Sequence, residues 1–401
     1  MTGSRYSKTT VRDAMARVDN AMSSFDETSV ASPTTMIDLK SVYPLSRLRD
    51  RPSTNGDATI SQANGRYELA LGSDGNASAD FRSVERARYV AGYDGVPGLA
   101  VNLDRLPTGN QVVEWGNCDF QNGFVVGVDA QGMFTRLYRG GEAVVTRRRE
   151  DWSEGRRNTL SPLDVHVYRM PYRWYGSGPY TLMVDWVDSR GRPSLLSLDV
   201  VHSADKSMPV TEDPNQPIAV RVQNNGTAEP IKAYVMGRHY VVMGGYNPNR
   251  RIIGDFRAQQ TVGQTFVPLI AFRQKLGVYT SISTKLAGVG IISNENLIWE
   301  ARVLSDVAGG EWRAPRLTDD GTESAMEVNT IATGFNVDGL QVWVGDPVEG
   351  RQGGRSGAGK ADLPNLDLPV GAQNEVIVLC ARTVGTQEAT VTSTFKIREE
   401  W

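Results

Sequence analysis

Residues 112–152 read VVEWGNCDFQNGFVVGVDAQGMFTRLYRGGEAVVTRRREDW, and residues 165–184 read VHVYRMPYRWYGSGPYTLMV. The runs are short, rich in β-branched and aromatic residues, and separated by glycine, aspartate or asparagine, which is typical of antiparallel strands in a sandwich. Turns are predicted at Ala130–Gly132, at Gly140–Gly141 and at Gly176–Pro179. Such a sheet buries one face, and the bulky residues available to fill it are Trp115, Phe124, Phe134, Tyr138, Trp152, Trp174 and Tyr175.

Length and composition indicate a chain of several β domains. The 401 residues exceed one ordinary domain and suit two or three, and the 41 glycines and 19 prolines favour β structure. The 43 basic and 46 acidic residues leave a net charge of -3. That balance argues against a dedicated nucleic-acid binder and against attraction to anionic membranes.

The first residues and the two cysteines indicate where the protein is made. The opening Met1–Lys8 lacks the apolar core of a secretory signal, and no 18 apolar residues run together, so we expect a soluble protein without membrane insertion. Cys118 and Cys380 are the only cysteines, and we expect both to be buried free thiols.

An apolar stripe near the amino terminus predicts a short helix. Its members recur at spacings of three and four, as in a coiled coil, but cover only two heptads. We interpret the stripe as an oligomerisation or docking helix; the alternative is an amphipathic helix packed on its own chain. The stripe consists of Val11, Ala14, Val18, Ala21 and Phe25.

The predicted fold is all-β, with two β-sandwich domains of jelly-roll or lectin-like type in series, preceded by the short helix and an extended arm. The arm covers residues 1–59, the first sandwich 60–207 and the second 208–401. The polar segment Ser203–Pro217 suggests the boundary. Asn224–Gly226 separates two β-rich runs and predicts a hairpin between them.

The candidate motifs for nucleotide and metal binding each lack a required residue or spacing. Gly354–Lys360 has the spacing of a phosphate-binding loop, but Ala361 replaces the magnesium-binding hydroxyl and the prolines that follow prevent the required helix. The histidines, at 166, 202 and 239, lie far apart and without metal-ligand spacing. We therefore predict no cofactor and no metal.

Four carboxylates near aromatic residues raise the question of glycoside cleavage, which needs two acids at a defined separation. They are Glu114, Asp119, Glu150 and Asp151. Acids at strand ends are usually turn or surface residues, so we predict that none is catalytic and keep glycan cleavage as the alternative.

A local positive cluster follows the predicted sheet. It comprises Arg147, Arg148, Arg149, Arg156 and Arg157. We interpret it as a candidate binding surface for an acidic partner subunit or an anionic glycan; the alternative is an exposed charged loop.

Several short motifs in order resemble a family of tailed-virus virion proteins with a lectin-like β-sandwich. In the first half the motifs are Asn122–Phe124, Gly127–Asp129 with Gly132, Asp151–Trp152 and Trp174–Pro179; in the second half they are Asp213–Ile218, Gly226–Thr227 and Ile397–Trp401. The resemblance covers about residues 60–401. The link Ser153–Leu163 departs from the family by its length and its arginines.

The resemblance implies a non-enzymatic structural component of the virion, made in the host cytoplasm, and most simply a tail fibre, fibre adaptor or baseplate component. A head or neck decoration protein is the alternative in the same class. Expected partners are other virion proteins, further copies of the chain, with a trimer favoured over a dimer, and a host surface glycan.

Overall fold

The computed structural model describes residues 33–46, 49–153, 160–187, 191, 193–203, 207–245, 250–275, 283–318, 324–335, 341–348, 366–367 and 376–400. The chain forms two compact units, Met1–Asn247 and Pro248–Trp401. Both are built from antiparallel strands, which confirms the all-β sandwich prediction. None of the helices among the described residues is long and apolar enough to span a membrane.

The described residues of the first unit form fifteen strands. They are β1 (Pro33–Leu39), β2 (Asp50–Asn55), β3 (Thr59–Ala63), β4 (Arg66–Leu71), β5 (Ser78–Arg86), β6 (Gly95–Leu103), β7 (Val112–Cys118), β8 (Gly123–Asp129), β9 (Gly132–Arg139), β10 (Glu142–Arg148), β11 (His166–Arg169), β12 (Tyr180–Val187), β13 (Pro193–Val201), β14 (Pro217–Gln223) and β15 (Ile231–Met243), with a 3₁₀ turn at Arg149–Asp151.

These strands make two sheets. The front sheet has seven strands in the order β10-β9-β8-β7-β14-β5-β2. The back sheet has eight, in the order β13-β12-β11-β6-β15-β4-β3, with β1 paired to β15. Side chains of period two fill the space between the sheets. Trp115 of β7 meets Tyr168 of β11 edge to face at 5.1 Å, and Phe124 of β8 stacks on Tyr180 of β12 at 5.3 Å.

The predicted local turns are confirmed. Asp129 pairs with Gly132 at the end of the β8–β9 hairpin, and Gly140 and Gly141 adopt φ of 58° and 87° between β9 and β10. At the later break, a Cβ on Gly178 would lie 1.6 Å from the carbonyl oxygen of Arg173. Only glycine fits there, since the chain folds back on itself to enter β12.

The hairpin predicted at Asn224–Gly226 is wrong. Asn225 and Gly226 do take the expected positive φ, 47° and 94°, but β14 pairs with β5 and β7 while β15 pairs with β4 and β6. The turn therefore carries the chain from the front sheet to the back sheet. Residues through Pro230 lengthen the connection, and the amide of Gly226 donates to the carbonyl of Gly75 at 2.7 Å.

The division of the chain also differs from the expected one. The strands β14 and β15 lie in the middle of the two sheets of the first unit, so the expected boundary at residue 207 falls inside that unit. In the expected arm, β1 pairs with β15 and β2 with β5. Ser203–Pro217 connects β13 of the back sheet to β14 of the front sheet, and its polar residues Thr211, Asp213 and Gln216 are buried instead of exposed as in a linker.

In the second unit, the part of the chain that the structure describes contains twelve strands. They are β16 (Arg250–Val262), β17 (Val267–Gln274), β18 (Ser283–Ser293), β19 (Leu297–Leu304), β20 (Val307–Ala308), β21 (Leu317–Thr318), β22 (Met326–Asn329), β23 (Gly334–Phe335), β24 (Gln341–Val348), β25 (Leu366–Asp367), β26 (Val376–Thr383) and β27 (Ala389–Glu400). One sheet has the order β21-β16-β27-β18-β25 and the other β22-β17-β26-β19-β24. Phe272 and Phe395 meet between them at 5.7 Å.

Both cysteines are buried free thiols, as predicted. Burial raises the pKa of Cys118 well above its ordinary value and that of Cys380 to about 12. The stripe at residues 11–25, the loop at 354–360, and Arg156 and Arg157 lie outside the described residues.

Candidate functional site

The outer face of the front sheet, which points away from the back sheet, carries a row of charged and aromatic residues. Across five neighbouring strands the register aligns Arg221, Glu114, Gly127, Phe134 and Arg148. The next row includes Arg82 and Arg136. We call this surface the arginine face and define it by Arg82, Arg136, Arg148 and Arg221.

Gly127 leaves space for an aromatic ring on this face, where further rings also pack. A Cβ on Gly127 would lie 2.3 Å from Cζ of Phe134, so the ring of Phe134 occupies the space that any other side chain would fill. Phe120, with φ of 62°, packs with Tyr138 over Cys118. Phe134 and Tyr138 were expected to fill the sandwich; they are buried, but on its outer face.

The guanidinium groups stack on these rings. Cζ of Arg136 lies 4.4 Å from the ring centre of Phe134, and Cζ of Arg148 lies 5.3 Å from the same centre. On the neighbouring ring of Phe120, Cζ of Arg221 lies at 3.8 Å and that of Arg82 at 5.3 Å. Cation–π stacking of this kind fixes the orientation of a planar guanidinium group.

Glu114 is the anchor beneath the arginines. Its side chain is 1% exposed and accepts hydrogen bonds from Nη1 of Arg136 at 2.5 Å, Nη2 of Arg221 at 2.5 Å and Oη of Tyr138 at 2.9 Å. Burial and the nearby Glu114 charge raise the pKa of Tyr138. Burial alone would lower the pKa of Arg136, but Glu114 and Tyr138 raise it above its ordinary value. With three donors on its two oxygens, Glu114 holds the arginines in place.

The layer that faces solvent is cationic. Arg148 binds both oxygens of Asp129 at 2.8 Å, and Arg82 pairs with Asp80. The four arginines therefore meet three carboxylates. The arginine side chains are 20–34% exposed, Asp80 and Asp129 are 20% and 16% exposed, and Glu114 is buried, so four guanidinium groups and two carboxylates face solvent. This arrangement can bind carboxylate, sulfate or phosphate groups.

The predicted arginine cluster is divided by the geometry of β10. Arg148 lies on the arginine face. Arg147 points to the other side, where Nε donates to the buried Asp199 of β13 at 3.1 Å, and Arg149 donates to the carbonyl of Leu160 at 2.7 Å. Strand alternation therefore assigns one member of the described cluster to a surface and another to the contact between the sheets.

The four carboxylates considered for catalysis occupy different settings. Asp119 accepts the amides of Gln121 at 2.9 Å and Asn122 at 2.7 Å and pairs with Arg86 at 3.0 Å, so it shapes the turn after β7. Glu150 and Asp151 are exposed in the 3₁₀ turn. Within the described part of the chain, no three His, Cys, Asp or Glu side chains converge as a metal site would require.

Sequence reasoning missed Arg82, Arg136, Arg221 and the ring of Phe120. The pattern Phe134, Arg136, Tyr138 on alternate positions of β9 was readable as one face of a strand. The neighbours of that face come from residues 80–82 and 221, and the order of the strands in the sheet alone brings them together.

No family model and no curated protein matches the chain. Among solved structures, the metal-free lectin I-B4 from Griffonia simplicifolia is similar over 52% of this chain and 99% of its own, with 10% identity and a TM-score of 0.33. The β-glucanase of Bacillus licheniformis gives 13% identity over 52% and 99% with a TM-score of 0.34. The carbohydrate recognition domain of Emp47p gives 12% identity over 51% and 93% with a TM-score of 0.31. At these values the similarity concerns the sandwich fold alone.

Proposed function

We propose that the chain is a non-enzymatic structural component of a tailed-virus particle, a tail fibre, fibre adaptor or baseplate component, that displays the arginine face as a binding surface. The virion role is supported by the order of the sequence motifs, from Asn122–Phe124 to Ile397–Trp401. The binding role is supported by geometry. The partner is an acidic surface, either of another virion subunit or of an anionic host glycan.

The observation that carries the binding role is the fixed orientation of the guanidinium groups. Each is held by a carboxylate on the sheet and by an aromatic ring, so a ligand does not have to immobilise a long side chain. Binding then loses less conformational entropy than it would on free arginines. Planar guanidinium groups also bind oxyanions in pairs of parallel hydrogen bonds.

A salt-dependent binding assay tests this surface. Full-length protein is titrated against dextran sulfate, with unmodified dextran as the uncharged reference. We expect the Arg82→Gln/Arg148→Gln variant to bind dextran sulfate about tenfold more weakly. The control is Arg169→Gln on the back sheet, whose side chain is 39% exposed and also paired with an aspartate. Because the test variant removes two charges and the control one, the losses are compared per charge removed. An equal loss of affinity per charge in both variants would mean that the overall charge of the protein, and not the arginine face, determines binding of the polymer.

The virion role is tested on particles. Antibodies against the chain should label the tails of purified virus in electron micrographs, whereas labelling of heads or necks would support the decoration protein instead. Absence of the chain from washed particles would overturn both.

The alternative in a different class is a glycan-cleaving enzyme. Its test is the release of new reducing ends from polysaccharides by purified protein. We expect none, and we expect amide variants of Glu114, Asp119, Glu150 and Asp151 that still fold to keep glycan binding within a few-fold. Reducing ends that disappear in one such variant would make the protein a depolymerase.

A further inference from the structure

An exposed tyrosine with a strained backbone lies in the connection between β11 and β12 of the first unit. Tyr175 is 58% exposed and has φ of 38°, in the left-handed region that favours glycine. Its neighbours Gly176 and Gly178 show that the same turn accommodates glycine. An exposed side chain of this size buries little apolar surface that could offset the backbone strain. Backbone strain of this kind concentrates at functional positions.

Half-buried aromatic rings surround Tyr175 on its inner side. Its backbone N–H donates to Oη of Tyr89 at 3.2 Å, and the two rings meet edge to face at 6.2 Å. Trp174 meets Tyr89 at 5.8 Å and donates its indole N–H to the carbonyl of Thr211 at 3.2 Å. Tyr89 in turn stacks on the buried Tyr172 at 6.3 Å. The exposed ring of Tyr175 is thus the outer member of a cluster of contacting aromatic rings.

A second exposed tyrosine lies beside the first. Tyr93 is 38% exposed, and its ring packs on Gly244, where a Cβ would lie 2.1 Å from the ring. A Cβ on Gly92 would lie 3.7 Å from Oη of Tyr175. The hydroxyl of Tyr175 therefore lies beside the turn that carries Tyr93. We call this surface, Tyr89, Tyr93, Trp174 and Tyr175, the aromatic platform.

The platform carries no excess charge. The charged groups that act on Tyr89, Arg173 and Asp94, pair with each other at 2.8 Å and are 14% and 3% exposed. Burial raises the pKa of Tyr89, which keeps its hydroxyl neutral. A polyanion or nucleic acid would require excess positive charge at this place.

We propose that the aromatic platform is a binding subsite for a neutral hexose unit of a glycan. A hexose ring has an apolar C–H face and a rim of hydroxyl groups. The exposed phenol ring of Tyr175 matches that face, and the tyrosine hydroxyls and exposed backbone of the turn match the rim. The platform and the arginine face use different residues, so this subsite is independent of the proposed binding of anions.

The test uses full-length protein in affinity electrophoresis through gels that contain dextran, laminarin, mannan or galactan. We expect retardation by at least one of these neutral polysaccharides. In the Tyr175→Gly variant the affinity should fall about tenfold, the equivalent of one lost stacked ring. Because glycine relieves the positive φ, this variant should keep or raise the melting temperature, which separates loss of binding from loss of fold.

Two further variants make the test specific. Tyr175→Phe keeps the ring and should retain most of the affinity, and Tyr43→Ala removes a tyrosine that is equally exposed, at 55%, but lies elsewhere in the unit. No retardation by any of the four polysaccharides, or equal retardation of the wild type and Tyr175→Gly, would overturn the proposal. Retardation that the Arg82→Gln/Arg148→Gln variant abolishes and Tyr175→Gly does not would assign glycan binding to the arginine face.

Discussion

Arg147 and Arg148 are adjacent on β10, yet their guanidinium groups bind carboxylates on opposite sides of the front sheet. Arg148 reaches Asp129 of the β8–β9 hairpin at 2.8 Å on the outer face. Arg147 reaches across to Asp199 on the back sheet, with Nη2 3.0 Å from Oδ1 and Nε donating to Oδ2 at 3.1 Å. Thr135 donates to the same carboxylate at 3.0 Å, so this contact ties the edges of the two sheets together.

Replacement of Arg147 should destabilise the first unit. Arg147→Ala leaves Asp199, whose side chain is 0% exposed, without its cation. We expect the free energy of unfolding to fall by about 3 kcal/mol, since an uncompensated buried charge is costly. Arg148→Ala should cost about 1 kcal/mol, because its partner Asp129 is more accessible to solvent. Urea unfolding followed by tryptophan fluorescence measures both.

The double variant Arg147→Ala/Asp199→Asn provides the control. It removes the unpaired charge and should recover part of the lost stability. A double variant less stable than Arg147→Ala would show that Asp199 acts through hydrogen bonds alone.

Glu114→Gln should be a folding variant and not a catalytic one. The amide is the same size, but it withdraws the carboxylate shared by Arg136 and Arg221 and turns an N–H group toward one of them. We expect a loss of about 3 kcal/mol in the free energy of unfolding. The exposed Glu150→Gln should stay within about 0.5 kcal/mol of the wild type. Equal stability of the two variants would contradict the anchoring role of Glu114.

Trp115 and Trp174, both expected in the core, should differ in how much they contribute to the free energy of unfolding. Trp115 is fully buried between the sheets, so Trp115→Ala should cost about 3–5 kcal/mol. Trp174 is half-buried at the edge of the core, so Trp174→Ala should cost about half as much. Thermal melting of both variants checks the order, and a larger loss in Trp174→Ala would mean that the β11–β12 connection supports more of the fold than its burial indicates.

What the sequence predicts well is local. The β8–β9 and β9–β10 hairpins, and the burial of Trp115 and Phe124, follow from alternation and turn residues within a few positions. The turn at Asn225–Gly226 has the predicted backbone conformation, but turn chemistry does not specify which strands pair, and long-range pairing sends β14 and β15 to different sheets. The arginine face was missed for the same reason, since Arg82, Arg136 and Arg221 become neighbours only when the strand order is known.

The buried thiol of Cys380 should make stability fall at alkaline pH. Burial raises its pKa to about 12 in the folded protein, against about 8.5 for an unfolded thiol. The contribution of the neutral thiol to the free energy of unfolding is fully present below pH 8.5. It is lost as the pH rises toward the pKa of the folded protein. By pH 10.5 the loss should reach about 2–3 kcal/mol.

Cys380→Ala removes this dependence while the buried tyrosines, which titrate in the same direction, remain. We therefore expect the difference in melting temperature between the wild type and Cys380→Ala to shrink or reverse between pH 8 and pH 10.5. Parallel curves for the two proteins would show that the thiol has the same pKa in the folded and the unfolded protein.

Self-assembly is the last prediction, and the fold changes how it has to be tested. Several weak sugar or anion sites on one rigid body raise avidity by about a hundredfold or more without new contacts, so a displayed binding surface benefits from a homo-oligomer. The stripe Val11, Ala14, Val18, Ala21 and Phe25 has alanines at two core positions, and two heptads are too short to hold chains together without further contacts. Removal of the whole expected arm, with a chain that begins at Asp57, would also delete β1 and β2, which pair with β15 and β5. A chain that begins at Ala31 removes the stripe and leaves both strands.

We expect light scattering to show an oligomer, with a trimer favoured, for the full-length chain and a lower mass per particle for the chain that begins at Ala31. The control is Val18→Asp in the full-length chain, which places a charge in the stripe without shortening the chain and should have the same effect. If all three proteins are monomers across micromolar concentrations, the stripe does not join copies of this chain. Residues 1–30 would then be assigned to docking on another virion protein, with the avidity supplied by the particle.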